Sequence, residues 1–208
     1  MFPDLARDDV FRLETPRLWL RWPRAADAPA IERYCSRWEV AQYTARIPHP
    51  YPPGTAERFI FAAREGNTSG RDLTLVMTPI RGKREAIGAI SLEGRAQDRL
   101  TLGYALAPEA WGKGLGSEAV EAMVEAGFVM TSAVEIEASV RIENPVSRRV
   151  VEKAGFAFVS TGPQGAPARG GLVACDRFRL TREAWLLRRA SVAAQAASSN
   201  QESTHEIS

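Results

Sequence analysis

The chain is poor in the residues that would place it in several common functional classes. Its 208 residues include only two cysteines, Cys35 and Cys175, far apart in the sequence. That fits neither a disulfide framework nor a zinc site, and it suits reduced thiols and a cytoplasmic location. No metal centre is expected. The formal net charge is only +2, with acidic and basic side chains interleaved. The basic stripe of a nucleic-acid binder is therefore missing. No run of about 18 uncharged apolar residues exists, so no membrane span is expected. The opening MFPDLARDDVF lacks a basic region followed by an apolar one, which argues against a secretory leader. There are no internal repeats.

What is present is a globular composition, 45% hydrophobic and 25% charged, long enough for one domain with a substantial core. RLWLRW (17–22) reads as a strand, and RAADAPAIERYC as a helix that Asp27 is able to cap. YTARIPHPYPPG (43–54), with four prolines, is a loop. A helix from Thr55 to about Arg64 carries Phe59 and Ala62 or Ala63 on one face. DLTLVMTP (72–79) and EAIGAISLEG (85–94) are strands joined by a turn. RLTLGYAL (99–106) sets Leu100, Leu102, Tyr104 and Leu106 on one face and Thr101, Gly103 and Ala105 on the other. A helix over about 115–131 has a polar stripe, Ser117, Glu118, Glu121 and Glu125, expected to be solvated. VEIEASVR (134–141) alternates as a strand, so strand, helix and strand form a parallel crossover unit. A helix over 145–154, a strand over 156–161, a flexible loop GPQGAPARGG (162–171), a strand over 172–181 and a short helix REAWLLRR complete the domain. The architecture is α/β (α+β), a mixed sheet with helices on both faces. Residues 1–12 read as an N-terminal arm, 13–190 as the domain, and 191–208 as a disordered tail of alanine, serine and polar residues.

AWGKGLGSEA (110–119) needs an explanation, because Gly112, Gly114 and Gly116 alternate immediately before a helix. A Walker loop requires Lys then Ser or Thr after its last glycine, but here Gly114 follows Lys113. Gly114, Gly116 and Ala119 do satisfy the dinucleotide fingerprint, with Glu135 and Glu137 near the distance of its ribose acid. Yet APEAWGK separates the strand from Gly114, and several strands precede it. A third reading starts from the helix N-terminus, whose unpaired N–H groups and dipole attract anions. Glycines there let a diphosphate approach the backbone, and Lys113 adds positive charge. A plain glycine turn is the alternative. In IENPVSRRVVEKAGF (142–156), Asn144 and Pro145 make an ordinary helix start and Gly155 an ordinary helix end. Ser147 falls in the first turn.

RLTLGYALAPEAWGKGLGSEA with ENPVSRRVVEKAGF resembles the GNAT superfamily of acetyl-coenzyme A-dependent N-acetyltransferases. LETPRLWLRWPRAADAPAI resembles its RimJ/RimL-like branch, and the resemblance runs from about residue 13 to 187. Trp111 stands where the superfamily loop commonly has Arg or Gln, a departure frequent in this branch. The resemblance implies a mixed central sheet of about seven strands with two splayed parallel strands, 99–106 and 134–141. It implies acetyl-CoA as co-substrate, its pantetheine beside Tyr104, Ala105 and Leu106 and held by Asn144. The diphosphate would lie on the N–H groups of Trp111, Gly112, Lys113, Gly114, Leu115 and Gly116. The reaction would be direct attack of a primary amine, at a peptide N-terminus or on a small molecule. Ser147 fills the place of the acid proposed for the branch, and Val151 replaces the tyrosine many relatives use. The usual glutamate base falls at Thr101, which leaves the base unassigned and Glu93 a remote candidate. The acceptor site would form around the first two helices, with Tyr43, His49 and Tyr51 lining it and 162–171 as a mobile flap. A monomer or homodimer is expected. Two other classes remain open, a coenzyme A-binding module without catalysis and an NAD(P)-binding oxidoreductase.

Overall fold

Segments of alternating apolar residues pair into one eight-stranded sheet. The structure, a computed structural model, describes residues 11–96 and 98–205. The strands are β1 (Arg12–Glu14), β2 (Leu18–Arg21), β3 (Asp72–Pro79), β4 (Gly88–Ala96), β5 (Arg99–Leu106), β6 (Glu135–Arg141), β7 (Ala157–Ala166) and β8 (Gly171–Thr181). Their order across the sheet is β1-β2-β3-β4-β5-β6-β8-β7. Every pairing is antiparallel except β5 with β6. The helices are α1 (Ala28–Cys35), α2 (Trp38–Ala41), α3 (Thr55–Thr68), α4 (Leu115–Met130), α5 (Pro145–Lys153) and α6 (Arg182–His205).

The two faces of the sheet bury different helices. On one face, Leu75, Leu92, Leu100, Leu102 and Ile136 meet Val120, Met123 and Phe128 of α4. On the other, Val76 and Ala105 meet Ile31 and Tyr34 of α1 and Ile60 of α3 in a smaller cluster. Alternation along β5 decides which residue serves which face, as its sequence predicts.

Several boundaries differ from the sequence reading. The sheet has eight strands rather than about seven, because Arg12–Glu14 pairs with β2. The expected arm over 1–12 lies outside the described residues as far as Val10. GPQGAPARGG is not a loop: β7 runs through it to Ala166, and β8 starts at Gly171. β7 ends the sheet, and an edge strand tolerates Pro163, whose missing N–H leaves no central ladder bond open. α3 continues to Thr68 and buries Ile60 and Ala63, while Ala62 is exposed. The residues after Ala190, expected to lack order, extend α6 to His205. Alanine's high helix propensity favours that continuation. Residues 206–208 lie outside the description. Asp27 does not cap α1; it accepts from the Arg24 N–H (2.7 Å) and takes a two-pronged ion pair from Arg21.

Gly88, opposite Leu106, marks where β4 and β5 approach most tightly. A Cβ there would sit 2.5 Å from the Ala105 carbonyl oxygen and 3.2 Å from Leu106 Cα. Backbone cannot move aside as a side chain can. Gly88→Ala is therefore expected to lower stability by about 1–3 kcal/mol. Urea unfolding measures it, and an unchanged midpoint would show that the strands yield freely.

Candidate functional site

The β5–β6 ladder runs from Arg99–Glu135 to Leu102–Ala138 and stops. β5 nevertheless continues to Leu106, held by β4, and β6 continues to Arg141, held by β8. The two strands therefore splay, and the backbone groups of Gly103–Leu106 that face β6 are left without a ladder partner. Such groups need hydrogen bonds from something.

A hydroxyl pair crosses this gap. Tyr104 projects from β5 toward α5, and its hydroxyl lies 2.9 Å from Ser147 Oγ. Asn144 fixes the serine from below, its Oδ1 accepting the Ser147 N–H at 3.0 Å as the cap of α5. Burial pushes the Tyr104 phenol up to about 12, although the bond to Ser147 pulls the other way. It thus keeps its proton at neutral pH. Val151, at the tyrosine position of many relatives, is buried in the core.

The glycine turn closes the wide end. After β5 comes a single 3-10 turn (Pro108–Ala110), and Trp111 folds back so that its Nε1 donates to the Leu106 carbonyl at 3.0 Å. Gly112 and Gly114 adopt φ of +70° and +73°, a region that favours glycine. No heavy atom lies within 4 Å of where a Gly112 Cβ would be. Gly116 has no such φ, and a Cβ there would meet Leu106 Cδ1 at 3.5 Å and Tyr104 Cε2 at 3.8 Å, both ordinary contacts. Lys113 is exposed, and the first N–H groups of α4 lack intrahelical acceptors. Glu118 is not part of a solvated stripe. It accepts from Thr15 Oγ1 (2.5 Å), the Arg17 N–H (2.8 Å) and Arg17 Nε (2.6 Å). Burial opposes its ionisation, but these bonds and the Arg17 charge outweigh that and hold its carboxyl below the usual range.

The opposite face of the wedge carries carboxylates. Thr101, where a base was sought, has Glu93 as its partner on β4 and Glu137 on β6. Arg46 and Arg95 engage Glu93, whereas Glu137 is exposed. Arg141 donates to the Gln42 carbonyl at 3.2 Å, which brings the Tyr43 segment to the open end of β6. The β7–β8 turn docks on the same loop: the Ala168 N–H reaches the Ala45 carbonyl at 3.0 Å, and Arg169 the Ile47 carbonyl. His49 is exposed and rests its ring on Trp38, centroids 5.2 Å apart. Tyr51 is set apart from these. It packs in the second core cluster beside Cys35, and burial raises its phenol above the ordinary value. Among the described residues, no group of three His, Cys, Asp or Glu side chains is placed to hold a metal ion.

The sequence reading missed the part played by four residues. Arg17 and Thr15 lie about a hundred residues from the loop they brace, and only the TPRL segment hinted at them. Glu137 had been weighed only as a ribose ligand. Tyr104 had been considered for its backbone alone. The dinucleotide reading loses ground, because the 3-10 turn and Trp111 separate β5 from Gly114 instead of the tight turn a fingerprint needs.

Splayed strands over a glycine turn at a helix N-terminus define a class of acyl-transfer proteins. Residues 17–157 match the family model described as "Acetyltransferase (GNAT) domain". The chain belongs to the GNAT acetyltransferases and is an acetyl-CoA-dependent acyltransferase. It is 28% identical over 170 residues to the uncharacterized N-acetyltransferase p20 of Bacillus licheniformis, covering 81% of this chain and 94% of that one. Its fold matches Mycobacterium smegmatis RimJ in complex with CoA-disulfide, with TM-score 0.72, 23% identity, and 88% and 91% of the two chains covered. It also matches the spermidine N-acetyltransferase of Vibrio cholerae in complex with CoA and spermine, with TM-score 0.68, 18% identity, and 81% and 98% covered. No helix among the described residues is long and apolar enough to cross a membrane.

The buried phenol makes one prediction. Because folding raises the Tyr104 pKa, its contribution is complete below about pH 10, the unfolded value, and fades as pH rises toward 12. Urea midpoints of the parent should therefore fall more steeply across that window than those of Tyr104→Phe, by about 2 kcal/mol. Parallel curves would mean that the phenol ionises as freely in the folded chain as in the unfolded one.

Proposed function

We propose that the protein moves the acetyl group of acetyl-CoA onto a primary amine, at a peptide N-terminus or on a small molecule, with both substrates bound together. The observation that carries this is the wedge itself, which offers a hydroxyl pair on one face and a free carboxylate on the other. The residues fit the coenzyme. The N–H groups of Gly112, Lys113, Gly114, Leu115 and Gly116, with the start of α4, suit its diphosphate, whereas the expected Trp111 N–H is already given to the Pro108 carbonyl at 3.1 Å. The backbone along Tyr104, Ala105 and Leu106 that faces away from β4 suits the pantetheine amides, apart from the Leu106 carbonyl, which already accepts from Trp111 Nε1. Asn144 keeps its Nδ2 donors for the same arm while its Oδ1 caps α5. When bound, acetyl-CoA supplies the activated thioester.

The chain's own groups then manage protons. An ammonium acceptor must lose a proton before it attacks, and Glu137 is placed to take it directly or through water. A β5 backbone N–H stabilises the carbonyl oxygen as charge develops there. Ser147 gives its proton to the departing thiolate while the Tyr104 hydroxyl hydrogen-bonds to Ser147 Oγ and stabilises the charge left there, and the serine regains a proton from water. Tyr43 and His49 border the acceptor, with the β7–β8 turn as one wall and Tyr51 behind. The name of the spermidine N-acetyltransferase supports a polyamine as one acceptor to try first.

The test is release of free thiol from acetyl-CoA with an N-terminal peptide, spermidine and an aminosugar in separate reactions. At least one amine should turn over. Binding of acetyl-CoA without turnover of any amine would instead support the coenzyme A module without catalysis. Stabilisation by NAD or NADP but not by CoA would favour the oxidoreductase. With an active amine in hand, Ser147→Ala should lower kcat about 10- to 100-fold with little change in KM for acetyl-CoA. Glu137→Gln should cut kcat/KM for the amine by at least tenfold. Parent-like rates in either variant would remove that residue from the mechanism.

A further inference from the structure

We infer that Arg17 is a positioning residue for coenzyme binding, cancelling the negative groups of the glycine turn so that its N–H groups are left for an anion. This rests on the acetyl-CoA reading. The turn has an electrostatic defect. Glu118 stands in the first turn of α4, the place where an incoming diphosphate would gather. A carboxylate there is favoured by the helix dipole, but it competes with a ligand for that field and repels it. The Lys113 carbonyl adds a second negative pole within the turn.

Both are met by one guanidinium. Arg17 Nε donates to Glu118 Oε2 at 2.6 Å, and Nη1 donates to the Lys113 carbonyl at 2.7 Å. The Arg17 N–H and Thr15 Oγ1 complete the grip on Glu118 Oε1. Arg17 Nη2 lies 3.4 Å from where a Gly114 Cβ would be, so the guanidinium sits against the left-handed residue that starts the helix. The side chain is half-exposed. Arg17 begins the strand segment at the far end of the chain, so the fold itself, and not the local sequence, sets the turn's polarity. A planar fork engages a carboxylate and a carbonyl at once; lysine cannot.

The experiment is calorimetric titration of CoA into the full chain, its R17A, R17K and E118Q variants and the double variant R17A/E118Q, at low and moderate salt. R17A should weaken CoA about tenfold and raise KM for acetyl-CoA much more than it lowers kcat. R17A/E118Q should regain most of that loss, because the uncancelled carboxylate has gone, and E118Q should bind at least as tightly as the parent. R17K, which keeps the charge and guards against misfolding, should fall between parent and R17A. Parent-like affinity in R17A would overturn the inference, and so would a double variant as weak as R17A, since Arg17 would then be a mechanical brace. If the parent does not bind CoA, the coenzyme reading itself fails, a result distinct from either.

Discussion

Everything in this molecule depends on where the parallel pairing of β5 and β6 ends. Full pairing would satisfy every backbone group and leave no opening. Pairing stops after Leu102 and Ala138, yet neither strand frays, because each is retained by its outer neighbour. β4 holds β5 to Leu106, with Gly88 permitting their close approach. β8 holds β6 to Arg141. The edges left without ladder partners thus diverge across a gap, each held by its outer neighbour.

Two helices start beside this gap and use their N-termini in opposite ways. α5 is closed: Pro145 removes one orphan donor, and Asn144 satisfies that of Ser147. That closure fixes Ser147, whose hydroxyl then meets Tyr104. α4 is open: its cap residue is Gly114, in a left-handed conformation and without a side chain to accept anything. Its donors remain available, and the carboxylate that would spoil them is drawn to Thr15 and Arg17. The same physics of helix termini yields a positioned hydroxyl in one case and, in the other, a set of donors without intrahelical acceptors.

The faces of the sheet divide the work further. Apolar residues of β5 and β6 on one side seat α4, and Tyr104, between Leu102 and Leu106, is the polar member of the β5 row. On the other side small residues, Thr101, Gly103 and Ala105, leave room beneath the loop 43–54 and the β7–β8 turn. A one-residue shift of register would exchange these two rows and bury the polar side.

The sequence by itself determined the alternation of β5 and β6, the strand at β3, the starts of α4 and α5, and the glycine turn between β5 and α4. These follow from local rules: strand period, cap residues, and glycine where φ must be positive. It also carried enough of the loop and the Asn144 segment to suggest the family. It misjudged GPQGAPARGG because glycine and proline argue for a loop unless an edge strand has a partner, and β8 is such a partner only in three dimensions. Only the tertiary structure decided that Glu118 is bound and not solvated, that Tyr104 and Ser147 meet, and that Glu137 stands beside Thr101. Each of those is a contact between residues far apart in the chain. No local propensity encodes such a contact; it exists only once the sheet order and register have brought the elements together.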